Sequence, residues 1–334
     1  MQMQWNSVYA VDAMTGVRAL PDESIRMVVT SPPYFRQRDY GCKGQWGQEG
    51  SPAEYVRQLT DLFREIRRVL MPDGTAWVVL GDSYGGNTRG GRMNPKYKNK
   101  RGLEGPPVGT YEGVKKKDLI GVPWMVAFAL REEGWYLRQD VIWSKTNPMP
   151  ESVQDRCTRS HEYIFMFSKS ERYFYDHLAI ATPLSQSARL RMKQKLADQR
   201  GSNRAWGKAN GPMKAAFTRG KQDGHGRRHA GFNERRDAAQ EIPMVANRKS
   251  VWPIATAMSK EDHYASFPAA IPNLCIRAGS GEGDMVLDPF AGTGTTLLQA
   301  SILGRRYIGF DLNERYVMIA RRRLKELEGI FYRE

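Results

Sequence analysis

Two short stretches carry residues whose types and spacing could do chemistry. The first is Thr30-Ser31-Pro32-Pro33-Tyr34, directly after the apolar run Met27-Val28-Val29. Neither proline has an N–H to donate, so the pair cannot continue a strand ladder and makes a stiff corner. The Ser31 hydroxyl and the Pro32 carbonyl are then two acceptors held close together. Such a pair suits an exocyclic amine, which offers two N–H donors. Tyr34 adds a flat face on which a base can stack. The corner reads as a seat for a nucleobase flipped out of its stack and presenting its amine. A proline-stiffened turn with a core tyrosine is the alternative from these residues alone.

The second stretch is Val286-Leu287-Asp288-Pro289-Phe290-Ala291-Gly292-Thr293-Gly294-Thr295-Thr296. An apolar run leads into a Gly-x-Gly loop and then a helical pattern. This layout lets a nucleotide-like ligand approach backbone at a strand's carboxyl end. Gly292 and Gly294 would remove side chains where the ligand lies. Asp311 stands 23 residues beyond Asp288, after Tyr307-Ile308-Gly309-Phe310. An acid there can accept hydrogen bonds from both ribose hydroxyls. No Lys follows the last glycine, so this is not an ATP-binding P-loop. The third glycine of GxGxxG is missing too. With Asp288 beside the loop, these features suit a phosphate-free, positively charged ligand such as S-adenosylmethionine. A structural strand–helix turn is the alternative.

The surrounding elements follow from periodicity. Strands are expected at Val8–Val11 and Arg26–Thr30, with a turn at Pro21-Asp22-Glu23 between them. Apolar residues at 55, 56, 59, 62, 63, 66, 69 and 70 give a helix over 53–70. Pro72-Asp73-Gly74 reads as a turn, and 75–80 as a strand buried on both faces. Residues 83–118 read as a long basic loop and 123–133 as a helix with Pro123 in its first turn. Strands follow at 138–143 and 162–167. Order returns near Pro268, with strands at 284–287 and 306–310 and helices at 295–303 and 313–328. Strands alternating with helices imply an α/β fold with a mostly parallel, doubly wound sheet. Residues 182–250 lack periodicity and read as an insertion or a small, poorly packed domain. The expected division is 1–181, the catalytic half of the α/β domain, then 182–250, then 251–334, the cofactor-binding half.

The chain has 334 residues and a formal net charge of +15. Residues 182–250 hold 16 Lys/Arg against 5 Asp/Glu, and residues 85–117 hold 9 against 2. These segments carry +11 and +7, so the rest of the chain is slightly acidic. Charge concentrated in two loop-like segments reads as an electrostatic footprint for a polyanion, with a solvated basic surface as the alternative. The three cysteines form no CxxC pair, so neither a disulfide framework nor a zinc site is expected. His225 and His229 lie among glycines and read as a solvated loop, so no metal is expected. The apolar runs are too short to span a bilayer, and the start MQMQWNSVYA lacks the pattern of a signal peptide. A cytoplasmic protein with no membrane partner is the expectation.

Ser31-Pro32-Pro33-Tyr34, then Arg38-Asp39-Tyr40-Gly41, with Asp288-Pro289-Phe290-Ala291-Gly292-Thr293-Gly294-Thr295-Thr296 downstream, resembles the DNA amino-methyltransferases. The order of catalytic corner, basic region and cofactor loop resembles their circularly permuted β group. Ile142-Trp143-Ser144-Lys145, Asp155-Arg156-Cys157 and His161-Glu162 resemble the segment before the family's recognition region. His263–Pro268 resembles its methionine-side cofactor motif, and Asp12-Ala13 the segment beside the cofactor's adenine. The resemblance implies a Rossmann-like S-adenosylmethionine-dependent fold and methyl transfer to an exocyclic amine of double-stranded DNA. It implies that Ser31 and Pro32 hold the amine, with Pro33 stiffening the corner and Tyr34 stacking on the base. It implies cofactor contacts from Asp12, Ala13, Phe267, Asp288, Pro289, Phe290, Ala291, Gly292, Gly294, Thr295, Thr296 and Asp311. DNA contacts would come from Arg36 and Arg38 near the corner. Others would come from Arg189, Arg191, Lys193, Arg204, Lys221, Arg227, Arg228, Arg235 and Arg236 in a target-recognition region over 182–250. A homodimer, a cognate restriction endonuclease and a bacterial or phage origin are compatible with the resemblance.

The corner's first residue bears on the base. Adenine-N6 members of the family usually carry Asp there and cytosine-N4 members usually Ser, so Ser31 implies cytosine N4, with adenine N6 as the alternative. Cytosine-C5 chemistry needs a Pro-Cys nucleophile, and Gly41, Arg156 and Leu274 precede the three cysteines. Two further classes stay open on these residues: an N-methyltransferase acting on RNA or protein, and a non-catalytic DNA-binding relative.

Overall fold

In the computed structural model, residues 3–86, 111, 113–187, 245–256 and 267–331 are described. The chain divides into two compact units, Met1–Ala179 with Lys249–Glu334, and Ile180–Arg248. In the second, the described strands β6 (Thr182–Pro183) and β7 (Val245–Ala246) pair antiparallel.

The first unit is built on one eight-stranded sheet. Its strands are β1 (Ser7–Ala10), β2 (Ile25–Thr30), β3 (Leu70–Leu80), β4 (Tyr136–Lys145), β5 (His161–Ser168), β8 (Val251–Ile254), β9 (Met285–Asp288) and β10 (Arg306–Asp311). Their order is β1-β10-β9-β2-β3-β5-β4-β8. Neighbours run parallel except where β5 pairs antiparallel with β3 and β4. The C-terminal strands β9 and β10 therefore sit between the N-terminal strands β1 and β2. Crossovers leave β9 and β2 in opposite directions across the sheet, which makes their junction a topological switch point, where α/β folds bind ligands.

Helices α1 (Ala13–Arg18), α2 (Pro52–Val69) and α3 (Val122–Glu132) pack against one another, as do α4 (Ala270–Gly279), α5 (Thr295–Ile302) and α6 (Glu314–Phe331). Ser51 caps α2 by accepting from Glu54 N, and Pro52 occupies its first turn. Tyr55, Leu59, Leu62, Phe63, Ile66 and Val69 then form one buried stripe. Val28, Ala76 and Val78 point into this core. Met27 points the other way, toward α4: a Cβ on Gly279 would lie 2.9 Å from its Cε. Helices on both faces explain why β2 and β3 read as continuous apolar runs rather than alternating ones.

Three differences from the sequence reading have physical causes. Pro72-Asp73-Gly74 is not a turn between elements, because β3 starts at Leu70 and bulges past β2 between Ile25 and Met27. The Arg26 guanidinium pairs with Asp73 and holds the bulge in the sheet. Strand β8 has no counterpart in the sequence reading: it has four residues and contains Pro253, which only an edge strand tolerates. Short α1 has none either, because Gly16 interrupts its pattern. Only Gly fits there, since a Cβ would lie 2.5 Å from the Phe310 ring.

Candidate active site

The parallel pairing of β2 with β9, Met27 beside Val286 and Val28 beside Leu287, brings both chemical stretches to the same edge of the sheet. Ser31 leaves β2 where Pro289 leaves β9. Strand β10 ends next to them at Asp311, and β1 pairs Ala10 with Asp311, so Asp12 follows at the same edge. A cavity opens here. Asp12, Ala13, Ser31, Pro33, Pro289, Phe290, Gly292 and Asp311 all line it. Residues far apart in the chain thus meet in one site.

The loop after β9 is held by two carboxylates with different tasks. Asp311 accepts from Gly292 N and Asn313 N, both at 2.8 Å. Burial raises its carboxyl above the usual range. Its oxygens keep further lone pairs facing the cavity it lines, so it remains able to accept from a ligand. Asp288 is different. It is 1% exposed and does not line the cavity. It accepts from Thr30 Oγ1 and Thr296 Oγ1, both at 2.7 Å, and from Phe290 N at 3.1 Å. The expectation that Asp288 faces a cationic ligand is corrected to a clamp joining β2, β9 and α5. Thr296 is the other half of that clamp and is itself buried.

Burial pushes the Asp288 carboxyl from its ordinary 3.8 up to about 6, with hydrogen bonds from both threonines acting in the opposite direction. A raised folded-state pKa means that folding takes up a proton between these values. Stability from this group is therefore complete below the ordinary value and is lost as pH rises through about 6. Wild type should gain about 1 kcal/mol over Asp288→Asn when urea unfolding is measured at pH 5 instead of pH 7.

Gly292 and Gly294 both adopt left-handed φ, +52° and +82°. Gly294 does not line the cavity. Its constraint comes from α6, because a Cβ there would lie 2.9 Å from Ala320 Cβ. Gly283 has φ +78° and open space around its missing Cβ. Gly283→Ala should cost about 1 kcal/mol by conformation alone. Gly294→Ala should cost measurably more in the same urea titration, because overlap with α6 adds to it. Ala291, Thr295, Pro32 and Tyr34 also lie off the cavity lining, as does Phe267, which is half-buried.

At the corner, the Tyr34 hydroxyl donates to Glu162 Oε2 at 2.6 Å, and the Ser31 hydroxyl donates to Tyr34 Oη at 3.3 Å. Glu162 Oε1 pairs with Lys145 Nζ at 2.5 Å. The Tyr34 ring lies over Gly81, where a Cβ would come within 2.6 Å of it. Burial first, then the Glu162 carboxylate, raises the phenol well above its ordinary 10. Tyr55 Oη donates to the Pro33 carbonyl at 2.9 Å. Among the described residues the Pro32 carbonyl has no partner, and it stays available as an acceptor.

The sequence reading missed a wall of the cavity. Tyr40, Cys42, Gln45 and Trp46 line it, as do Leu312, Asn313 and Tyr316. Trp46 donates from Nε1 to Asp12 Oδ2 at 3.1 Å and meets the Phe290 ring edge-on, centroids 5.3 Å apart. Asp12 also caps α1 through Met14 N and Thr15 N. Aromatic residues in a Gly- and Gln-rich stretch just after the corner were the available signal. Of the two arginines near the corner, Arg38 is exposed. Arg36 is half-buried, and its Nε donates to the Glu49 carbonyl at 3.0 Å, so it pins the loop. Arg189, Arg191, Lys193, Arg204, Lys221, Arg227, Arg228, Arg235 and Arg236 lie outside the described residues, as do 263–266 and both loop histidines.

The cavity's chemistry fits S-adenosylmethionine. Its walls include Phe290, Trp46 and Tyr40, which suit a flat base. Two carboxylates line it, and among the described residues no Lys or Arg does, which disfavours a phosphate and favours a cation. Among the described residues no cluster capable of holding a metal is present, and no helix is long and apolar enough to cross a membrane.

A family model described as DNA methylase, covering N6 and N4 methyltransferases, matches residues 25–322. The chain is 41% identical over 317 residues to the type II methyltransferase M.SmaI of Serratia marcescens, covering 94% of this chain and 88% of that one. Two solved structures share the fold. The PvuII DNA methyltransferase, described as cytosine-N4-specific, superposes with a TM-score of 0.59 at 20% identity, over 98% of this chain and 91% of its own. A Thermus thermophilus protein described as a DNA modification methylase, crystallised with S-adenosyl-L-methionine, gives 0.55 at 22% identity, over 96% and 93%. The chain belongs to the N6/N4 DNA methyltransferase family, whose members use S-adenosylmethionine as methyl donor, and is a type II DNA methyltransferase.

Proposed function

We propose that this protein methylates the exocyclic N4 of a cytosine flipped out of a specific sequence in double-stranded DNA. The observation that carries this reading is the corner's neutral acceptor. Tyr34 has one hydroxyl proton, and it goes to Glu162, so the proton in the Ser31–Tyr34 contact must be Ser31's own. Ser31 Oγ therefore faces the cavity as an acceptor only. Paired with the Pro32 carbonyl, it can take both N–H donors of an amine. The PvuII enzyme, whose fold this chain shares, is described as cytosine-N4-specific.

S-adenosylmethionine bound in the cavity supplies an electrophilic methyl group. Asp311 would hold its ribose, Phe290 and Trp46 its adenine, and Ser31 and Pro32 would orient the amine lone pair toward the methyl carbon. Such positioning supplies much of the acceleration, and no covalent intermediate is needed. Residues 182–250 would be the target-recognition region and residues 85–117 a second DNA contact, both strongly basic.

The test is a transfer reaction on duplex DNA of diverse sequence with methyl-labelled S-adenosylmethionine, followed by digestion to nucleosides and mass spectrometry. Label on N4-methylcytosine is the expected result. Label on N6-methyladenine would keep the mechanism and overturn the base assignment. Transfer to RNA in preference to duplex DNA would overturn the substrate.

A further inference from the structure

The hydrogen bonds at the corner run in one direction, from Ser31 Oγ to Tyr34 Oη at 3.3 Å and from Tyr34 Oη to Glu162 Oε2 at 2.6 Å. A carboxylate only accepts, so every proton in this chain points away from the amine seat and toward Glu162. The far end is a charged pair: Glu162, 15% exposed, and Lys145, 21% exposed, on paired strands β5 and β4. Lys145 Nζ also lies 4.9 Å from the centre of the Trp143 ring. A largely buried ion pair is weak evidence for stability, because desolvation offsets much of its attraction. Its position at the end of a hydrogen-bonded chain suggests a different use.

An amine that gains a methyl group must lose a proton, and Ser31 alone cannot keep it. Asp288 is closed off inside its threonine clamp, and Asp311 lies on a different strand end. Among these three carboxylates, Glu162 is the one wired to the corner. We propose that Ser31, Tyr34 and Glu162 form a relay that removes this proton as the methyl group is transferred. This rests on the amine-methylation reading above.

The step balances. The nitrogen lone pair becomes the new N–C bond, and the electrons of the broken S–C bond stay on sulfur. The nitrogen's proton moves to Ser31 Oγ, Ser31's proton to Tyr34 Oη, and Tyr34's proton to the Glu162 carboxylate. Lys145 Nζ, 2.5 Å from Glu162 Oε1, is the counter-ion at this end of the chain, and the partial exposure of Glu162 lets the proton pass to solvent afterwards.

Two variants test this. Tyr34→Phe keeps the ring that lies over Gly81 and removes the link. Glu162→Gln keeps an oxygen that can hold the Tyr34 hydroxyl but cannot take its proton. Single-turnover transfer is measured on a duplex that the wild type methylates, in water and in deuterium oxide. Affinity for the same duplex is measured by anisotropy with S-adenosylhomocysteine present. Both variants should lose about a hundredfold in rate, within the range for positioned proton transfer. Their DNA affinity should be unchanged, and the double variant should fall no further, because the residues act as one unit. Wild type should be slowed in deuterium oxide, and Glu162→Gln should not.

A Glu162→Gln protein transferring at the wild-type rate would overturn the relay and leave Glu162 as a strut for Tyr34. A rate loss matched by an equal loss of DNA affinity would overturn it too. A folded wild-type protein that methylates no amine would remove the functional reading itself, and the relay with it.

Discussion

Ser31→Ala should lower methyl transfer by about a hundredfold to ten-thousandfold, the span seen when a positioned proton-transfer group is lost, while the cofactor still binds nearly as well as before. The asymmetry follows from the geometry. The Ser31 hydroxyl contacts Tyr34 Oη and presents its lone pairs to the cavity, and the other Asp12–Asp311 end is untouched by its loss. Alanine leaves the proline pair and the path of the chain intact. Isothermal titration with S-adenosylhomocysteine gives the affinity, and single-turnover assays give the rate. A collapse of cofactor affinity with the rate would mean that the corner belongs to the cofactor's seat and not to the base's.

Asp311→Ala should have the complementary signature, with cofactor affinity falling about tenfold to a hundredfold, the equivalent of losing a charged hydrogen-bond acceptor. Asp311 ends β10 and faces the cavity while holding Gly292 N and Asn313 N at 2.8 Å. Alanine removes the proposed ribose acceptor and one anchor of the glycine loop together. Asp311→Asn separates the two roles, because its amide oxygen can still accept from one backbone N–H. If Asp311→Asn binds cofactor as tightly as wild type, the aspartate shapes the loop and does not touch the ribose. At saturating cofactor the remaining transfer rate should recover, unlike that of Ser31→Ala.

Much of the fold was legible because its signals are local. The helix over 52–69 announces itself by apolar spacing, and the strands by short apolar runs between turn residues. The failures are where tertiary pairing overrules a local signal. Pro72-Asp73-Gly74 has turn composition, yet the Arg26–Asp73 pair and the neighbouring β2 keep it within the sheet. Val251–Ile254 is too short and too proline-marked to stand out, and it becomes a strand only by adding to the edge at β4.

The same division runs through the site. From residue types alone the chain already determined a stiff acceptor corner, because proline has no N–H. It determined a glycine loop, because glycine reaches positive φ, and it gave the expectation of a polyanion partner, because its charge is gathered in two segments. Only the tertiary structure decided that residues 31 and 292 share a cavity, through the parallel pairing of β2 and β9, which is set by burying both faces of those strands. It also separated two aspartates that look alike in sequence. Asp288 meets two threonines and becomes a buried clamp, while Asp311 faces the cavity. And it joined Tyr34 to Glu162 across 128 positions. A carboxylate's chemistry depends on which donors the fold brings to it, and no local pattern carries that.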